Sequence, residues 1–247
     1  MKAAPSPLKE GTALLLLAFE TSAKAAGAAL FDENKLLAEC YQNTGMTHSQ
    51  TLLVMAEDLL KQIGKTAADV TAVAVAAGPG SFTGVRIGVA AAKGFAWAKE
   101  LPCYGVSTLE AMALSLGIFE GTVCACMDAR RAQVYNALFS FKNGQICRIS
   151  EDRAISIADL SAELQNIDGP VYLVGDGAEL VKRTLSDLPN LILPAEHRRH
   201  QRATGVGLAA LAQIAAGMDA DANALTPNYL RLSQAERERM EKLKVES

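Results

Sequence analysis

The segment best suited to holding a ligand is Ala77-Gly78-Pro79-Gly80-Ser81-Phe82-Thr83-Gly84-Val85-Arg86-Ile87-Gly88. It follows an apolar strand-like run and opens a helical one. Gly78 and Gly80 permit a sharp turn, Pro79 stiffens it, and Ser81 or Thr83 can cap the helix. A helix start of this kind offers free N–H groups to an anion. Gly78, Gly80, Ser81 and Thr83 are therefore one candidate phosphate cradle, with a purely structural corner as the equal alternative. The spacing G-x-G-x-x-x-G is not the dinucleotide fingerprint, and no Gly-Lys-Ser/Thr follows as in a P-loop. A second candidate nucleotide loop is Gly175-Asp176-Gly177, after Val171-Tyr172-Leu173-Val174. Glu20, Asp128 and Asp176 are candidate carboxylates, each also readable as a turn or cap.

Metal and thiol chemistry find little support. The three histidines are His48, His197 and His200, and the last two lie in the polar run His197-Arg198-Arg199-His200-Gln201-Arg202. This only basic cluster reads as a solvated loop. Five cysteines (40, 103, 124, 126 and 147) form no Cys-x-x-Cys pair. They read as reduced, mostly buried thiols of a cytoplasmic protein. No peptidase dyad or triad is present.

These residues need elements to hold them. Three strand-like runs (13–19, 25–31 and 36–42) precede a helix over 49–63, with Ser49 as N-cap and Gly64 beyond its end. A buried strand (70–77), a helix (83–99), a short strand (103–106) and a helix (108–116) follow. The order then repeats: strands 122–127, 133–140 and 145–150, helix 158–166, strand 171–174, helix 177–186, a strand near 191–193 and helix 203–216. A three-strand meander followed by alternating helix and strand, twice, predicts two α/β lobes with mixed sheets flanked by helices. We divide the chain into an N-terminal extension (1–12), a first lobe (13–106), a second lobe (107–232) and a polar tail (233–247). Helix 203–216 has the option of packing back on the first lobe. A cleft between the lobes is the expected ligand position.

Half of the 247 residues are hydrophobic and 5% aromatic, with a formal net charge of −3. Such a chain buries a core, and lacks the strongly basic balance of a protein that grips nucleic acid alone. The apolar run 13–19 is too short for a membrane span and leads directly into further strands. Two helices invite a partner. Leu52, Leu53, Val54, Met55, Ala56, Leu59 and Leu60 cover more than half the circumference of helix 49–63. Gly84, Gly88, Ala91 and Ala92 keep helix 84–98 smooth enough for another backbone to approach. The first lobe's helices are thus the expected partner and homodimer surface, unless both are buried within their own lobe.

Several motifs together resemble the bacterial TsaB (YeaZ) family. They are Phe19-Glu20-Thr21-Ser22, Thr47-His48-Ser49-Gln50, GPGSFTGVRIG at 78–88, Gly105-Val106-Ser107-Thr108-Leu109, Met127-Asp128-Ala129-Arg130-Arg131 before Val134-Tyr135, and Pro227-Asn228-Tyr229-Leu230-Arg231. The resemblance spans about residues 13–232. Glu20 stands where the family usually has Asp. It implies an actin/Hsp70-like (ASKHA) duplicated fold. It also implies a non-catalytic scaffold or activator role in forming N6-threonylcarbamoyladenosine (t6A) at adenosine 37 of tRNA. The implied partners are the catalytic TsaD subunit and the ATPase TsaE, with tRNA met only indirectly and a homodimer formed alone. Thr108 and Met112 fall where the catalytic relative carries two metal-binding histidines, so no metal is implied. No intrinsic cofactor is expected either, ATP or ADP belonging to the partner complex. The competing reading is an ATP-dependent phosphotransferase or hydrolase of the same fold acting alone.

Overall fold

Strand order is the same in both halves of the molecule. The computed structural model describes residues 13–118 and 120–231; the expected extension 1–12 and tail 233–247 lie outside them. In the first half the strands are β1 (Leu15–Glu20), β2 (Ala26–Asp32), β3 (Lys35–Gln42), β4 (Ala72–Gly78) and β5 (Cys103–Ser107), ordered β3-β2-β1-β4-β5. The second half has β6 (Gly121–Asp128), β7 (Gln133–Lys142), β8 (Gln145–Arg148), β9 (Arg153–Ser156), β10 (Val171–Val174) and β11 (Leu191–Ile192). Its order, β8-β7-β6-β10-β11, repeats the first. In each sheet the meander pairs antiparallel and the last two strands run parallel to its first member. This duplicated pair of mixed sheets is the actin-like architecture.

Helices α1 (His48–Gln62), α2 (Phe82–Lys99) and α3 (Thr108–Leu116) belong to the first half, and α4 (Ile157–Leu164), α5 (Ala178–Thr184) and α6 (Ala203–Ala215) to the second. Helix α1 begins one residue before the expected Ser49. Its N-cap is Thr47, whose side chain makes no capping bond. Strand β9 is unanticipated. β8 and β9 both pair with β7, and the Leu138 carbonyl accepts from both Ile149 and Ser150 N–H, so the third meander strand is broken by a bulge.

β1 is buried along its whole length because both sheet faces are covered. Leu17 and Phe19 face α1 and α2, packing with Leu52, Met55, Leu59, Val85 and Val89. Leu16 and Ala18 face the other way, toward Ala111 of α3 and Ala203, Val206 and Ala210 of α6. Helix α6 thus crosses from the end of the second half to cover the first sheet. Its glycines permit this: a Cβ on Gly205 would lie 1.9 Å from the Ala111 carbonyl oxygen, and one on Gly207 2.1 Å from the Phe31 ring.

These contacts correct the expected partner surface. Leu52, Met55, Ala56 and Leu59 are spent on their own lobe's core, as are Gly84, Gly88 and Ala92. A Cβ at Gly84 would meet the Thr21 carbonyl oxygen at 2.1 Å, and one at Gly88 the Thr21 Oγ1 at 2.3 Å. The backbone that α2's smoothness admits is the β1–β2 turn, which Thr21 Oγ1 ties down by donating to the Gly84 carbonyl at 2.8 Å. Ala91 is partly buried, while Leu53 and Val54 of α1 are 52% and 55% exposed.

Candidate functional site

The cleft between the lobes gathers the three carboxylates singled out by the sequence. Glu20 ends β1, Asp128 ends β6, and Asp176 lies in the Gly175-Asp176-Gly177 loop after β10. Glu20 is fully buried; its Oε1 accepts the Ser22 N–H at 2.5 Å, and its Oε2 has no protein partner. Burial pushes its carboxyl up to about 7; the Ser22 bonds oppose this and the nearby Asp176 adds to it. Asp176 is also raised, chiefly by desolvation although part of the residue reaches solvent, with Asp128 adding repulsion. The Gln201 amide opposes the shift by donating to Asp176 Oδ1 at 3.3 Å.

A cavity of about 240 Å³ opens beside this group, lined among others by Lys24, Asn43, Asp176, Glu179, Glu196 and Arg199. Arg199 is 7% exposed; it pairs with Glu179 at 3.0 Å, and its Nε has no protein partner. The run 197–202 is therefore not the solvated loop expected from its polarity. Arg198 donates to the Leu116 carbonyl, Arg199 sits in the cleft, and Arg202 pairs with Glu39 of β3 at 2.5 Å. Each guanidinium finds an oxygen where the chain passes between the lobes. Only the cationic spacing was legible; the oxygens come from distant segments.

Neither glycine segment offers an open anion cradle. Ser81 N–H donates to the Ser22 carbonyl at 2.6 Å, and Ser81 Oγ caps the Gly84 N–H. Cβ atoms at Gly78 and Gly80 would lie 2.6 and 2.4 Å from the carbonyl oxygens of Asn228 and Ser22. The corner at Gly78, Gly80, Ser81 and Thr83 is thus closed by the chain itself. In the second loop, Gly175 and Gly177 donate to the carbonyls of Arg199 and Cys126. The lining places Asp176, Glu179 and Glu196 against Lys24 and Arg199, a poor match for a polyphosphate.

Thr108 and Met112 are buried on α3, and Met112 packs with Ala23, Leu109, Met127 and Val174 where the lobes meet. Among the described residues no three His, Cys, Asp or Glu side chains converge on a metal position. All five cysteines are free thiols, and burial pushes the Cys103 thiol up to about 12. His48 Nε2–H donates to the Ala23 carbonyl at 2.8 Å, and His200 lies 3.7 Å from Glu196. No described helix is long and apolar enough to cross a membrane.

Sequence reasoning missed a second exposed group. The rings of Phe82 and Tyr229 stack at 4.7 Å, and Arg86 lies 3.7 Å above Phe82 while donating to Tyr229 Oη at 2.7 Å. The two motifs that supply it lie 143 positions apart between Arg86 and Tyr229.

Known proteins bear on this geometry. The family model described as TsaD, tRNA N6-adenosine threonylcarbamoyltransferase, matches residues 42–239. The tRNA threonylcarbamoyladenosine biosynthesis protein TsaB of Bacillus subtilis is 33% identical over 225 residues, covering 90% of this chain and 96% of that protein. TsaB of Escherichia coli is 36% identical over 165 residues, 66% of this chain and 71% of that protein. The YeaZ structure from Pseudomonas aeruginosa superposes with a TM-score of 0.72 at 29% identity, covering 88% of this chain and all of that one. A second Pseudomonas aeruginosa structure, described as similar to peptidase YEAZ, gives 0.73 at 27% identity over the same shares.

Proposed function

This chain belongs to the TsaB (YeaZ) family of tRNA threonylcarbamoyladenosine biosynthesis proteins, and from that premise we propose that it is a non-catalytic accessory subunit. It positions and activates a TsaD-type threonylcarbamoyltransferase, with a TsaE-type ATPase joining the assembly, and forms a homodimer when alone. The observation that carries the reading is the engagement of the glycine segments by the chain itself. The Ser81, Gly175 and Gly177 N–H groups each donate to a carbonyl of the chain itself, the Gly84 N–H to Ser81 Oγ, and Glu20 is fully buried. Phosphate chemistry needs preorganised donors and metal ions around the transferred group. We accordingly assign the chain no nucleotide and no metal of its own. The partner surface centres on the outward edge of α1, where Leu53 and Val54 are exposed.

One observation favours autonomous chemistry: a carboxyl near pKa 7 suits a general base. Its burial argues for a structural acid instead. Reconstitution decides. The chain alone should give no modified tRNA, the TsaD-type subunit with TsaE little, and all three full modification. Transfer by the isolated chain that is lost in Glu20→Gln or Asp128→Asn would overturn the accessory reading.

A further inference from the structure

The tip of the β6–β7 hairpin is built against its residues' own preferences. Arg130, Arg131 and Ala132 have φ of 66°, 57° and 55°. A left-handed conformation costs a non-glycine L-residue about 1–2 kcal/mol. Three in succession are held by bonds on both sides. Asp128 Oδ1 accepts the Arg130 N–H at 2.7 Å, Gln133 N–H donates to the Arg130 carbonyl, and Ile157 N–H donates to the Ala132 carbonyl. Glycine or asparagine would make the same turn with less strain, yet two exposed arginines stand there. Strain kept where a milder residue would serve points to function.

The segment 226–231 joins this tip to the aromatic stack. Arg231 Nη1 donates to the Ala129 carbonyl at 2.7 Å, and two residues earlier Tyr229 lies on Phe82 under Arg86. This segment therefore links the tip that carries Arg130 and Arg131 to the stack that carries Arg86. Asp128 lies 3.5 Å from Arg130, and Tyr229 is 42% exposed. The chain as a whole carries a net charge of −3. Guanidinium groups beside an exposed tyrosine ring suit phosphates and unstacked bases.

We propose that this surface contacts RNA directly, with Arg130 and Arg131 on the phosphate backbone and the Tyr229–Phe82–Arg86 stack as a platform for an unpaired base. The proposal deepens the accessory reading, on which it rests for the identity of the RNA as tRNA. It goes beyond the purely indirect contact that the family resemblance implies.

The test measures binding of a labelled, unmodified tRNA transcript to the chain and to its complex with the TsaD-type subunit, across a salt series. Arg130→Asn with Arg131→Asn keeps a residue tolerant of positive φ. It should weaken tRNA binding by about tenfold and flatten the log K against log[salt] slope by about 0.7–0.9 per lost contact. Tyr229→Ala should weaken binding with the slope unchanged. Lys142→Asn, at the opposite end of β7, should change neither. If the Asn pair folds poorly, Arg130→Gly with Arg131→Gly removes the same charges without strain. Unchanged affinity and slope would overturn the proposal, as would lost subunit assembly with tRNA binding intact, which makes the surface a protein interface. Charge-dependent tRNA binding without stimulation of the catalytic subunit would keep this surface and overturn the accessory role; stimulation indifferent to the Asn pair would do the reverse.

Discussion

At the scale of single residues, Glu20 sets a pH dependence. A carboxyl that ionises near 4.5 when unfolded and near 7 when folded keeps a proton in the native state that the unfolded chain has lost between those values. Stability therefore falls as pH rises from about 4.5 to about 7 and levels off above; the full shift corresponds to about 3 kcal/mol. Glu20→Gln should remove most of that slope, measured as denaturant midpoints from pH 5 to 8, leaving the part owed to Asp176. A slope unchanged in the variant would show that Glu20 is ionised in the folded protein. Gly88 gives a second prediction. Gly88→Arg should unfold the protein, because even a Cβ meets Thr21 Oγ1 at 2.3 Å. The cost exceeds the usual overpacking range of about 1–3 kcal/mol. The sequence makes the smoothness of α2 legible through its glycines and alanines. It does not say whose backbone approaches, since small residues record closeness and not the identity of the neighbour.

At the scale of elements, α1 separates buried from outward-facing positions within three consecutive residues. Leu52 is 1% exposed in the core, while its neighbours Leu53 and Val54 face outward. Leu52→Ala should cost about 2–5 kcal/mol. Leu53→Glu with Val54→Glu should leave the melting temperature nearly unchanged, as surface substitutions do, while abolishing co-elution with the TsaD-type subunit on size exclusion. Retained co-elution would move the partner surface elsewhere. Most elements were legible because their apolar periodicity is strong. β9 was not: Ser150, Glu151, Asp152 and Arg153 hide a strand boundary, and Arg148 holds the break by pairing with both Asp152 and Glu110 of α3. The three carboxylates were legible one by one, whereas their convergence depends on the two halves being juxtaposed.

At the scale of the whole molecule, the repeated strand order was legible as a repeated element order, but the dependence of one half on the other was not. The face of the first sheet formed by Leu16, Ala18, Phe31 and Ala74 is completed by α6, which comes from the far end of the described chain. A chain ending at residue 202 should retain much of its helix signal but lose near-ultraviolet circular dichroism and bind a hydrophobic dye. Native-like near-ultraviolet spectra from that truncation would show that the first half folds without α6.

The crossing of α6 also sets a timetable for biosynthesis. Residues 15–107 leave the ribosome with every strand of their sheet made, yet one face, covered by α3 alone, is not completed until residues 203–215 follow. At about 5–20 residues per second, that gap of roughly a hundred residues lasts on the order of ten seconds. For that interval the nascent chain leaves part of an alanine-rich apolar sheet face open to water. Ribosome-associated chaperones are the natural occupants of such a face, so the duplicated architecture gains its rigid joint through a delay in which the earlier-made half waits for the later one.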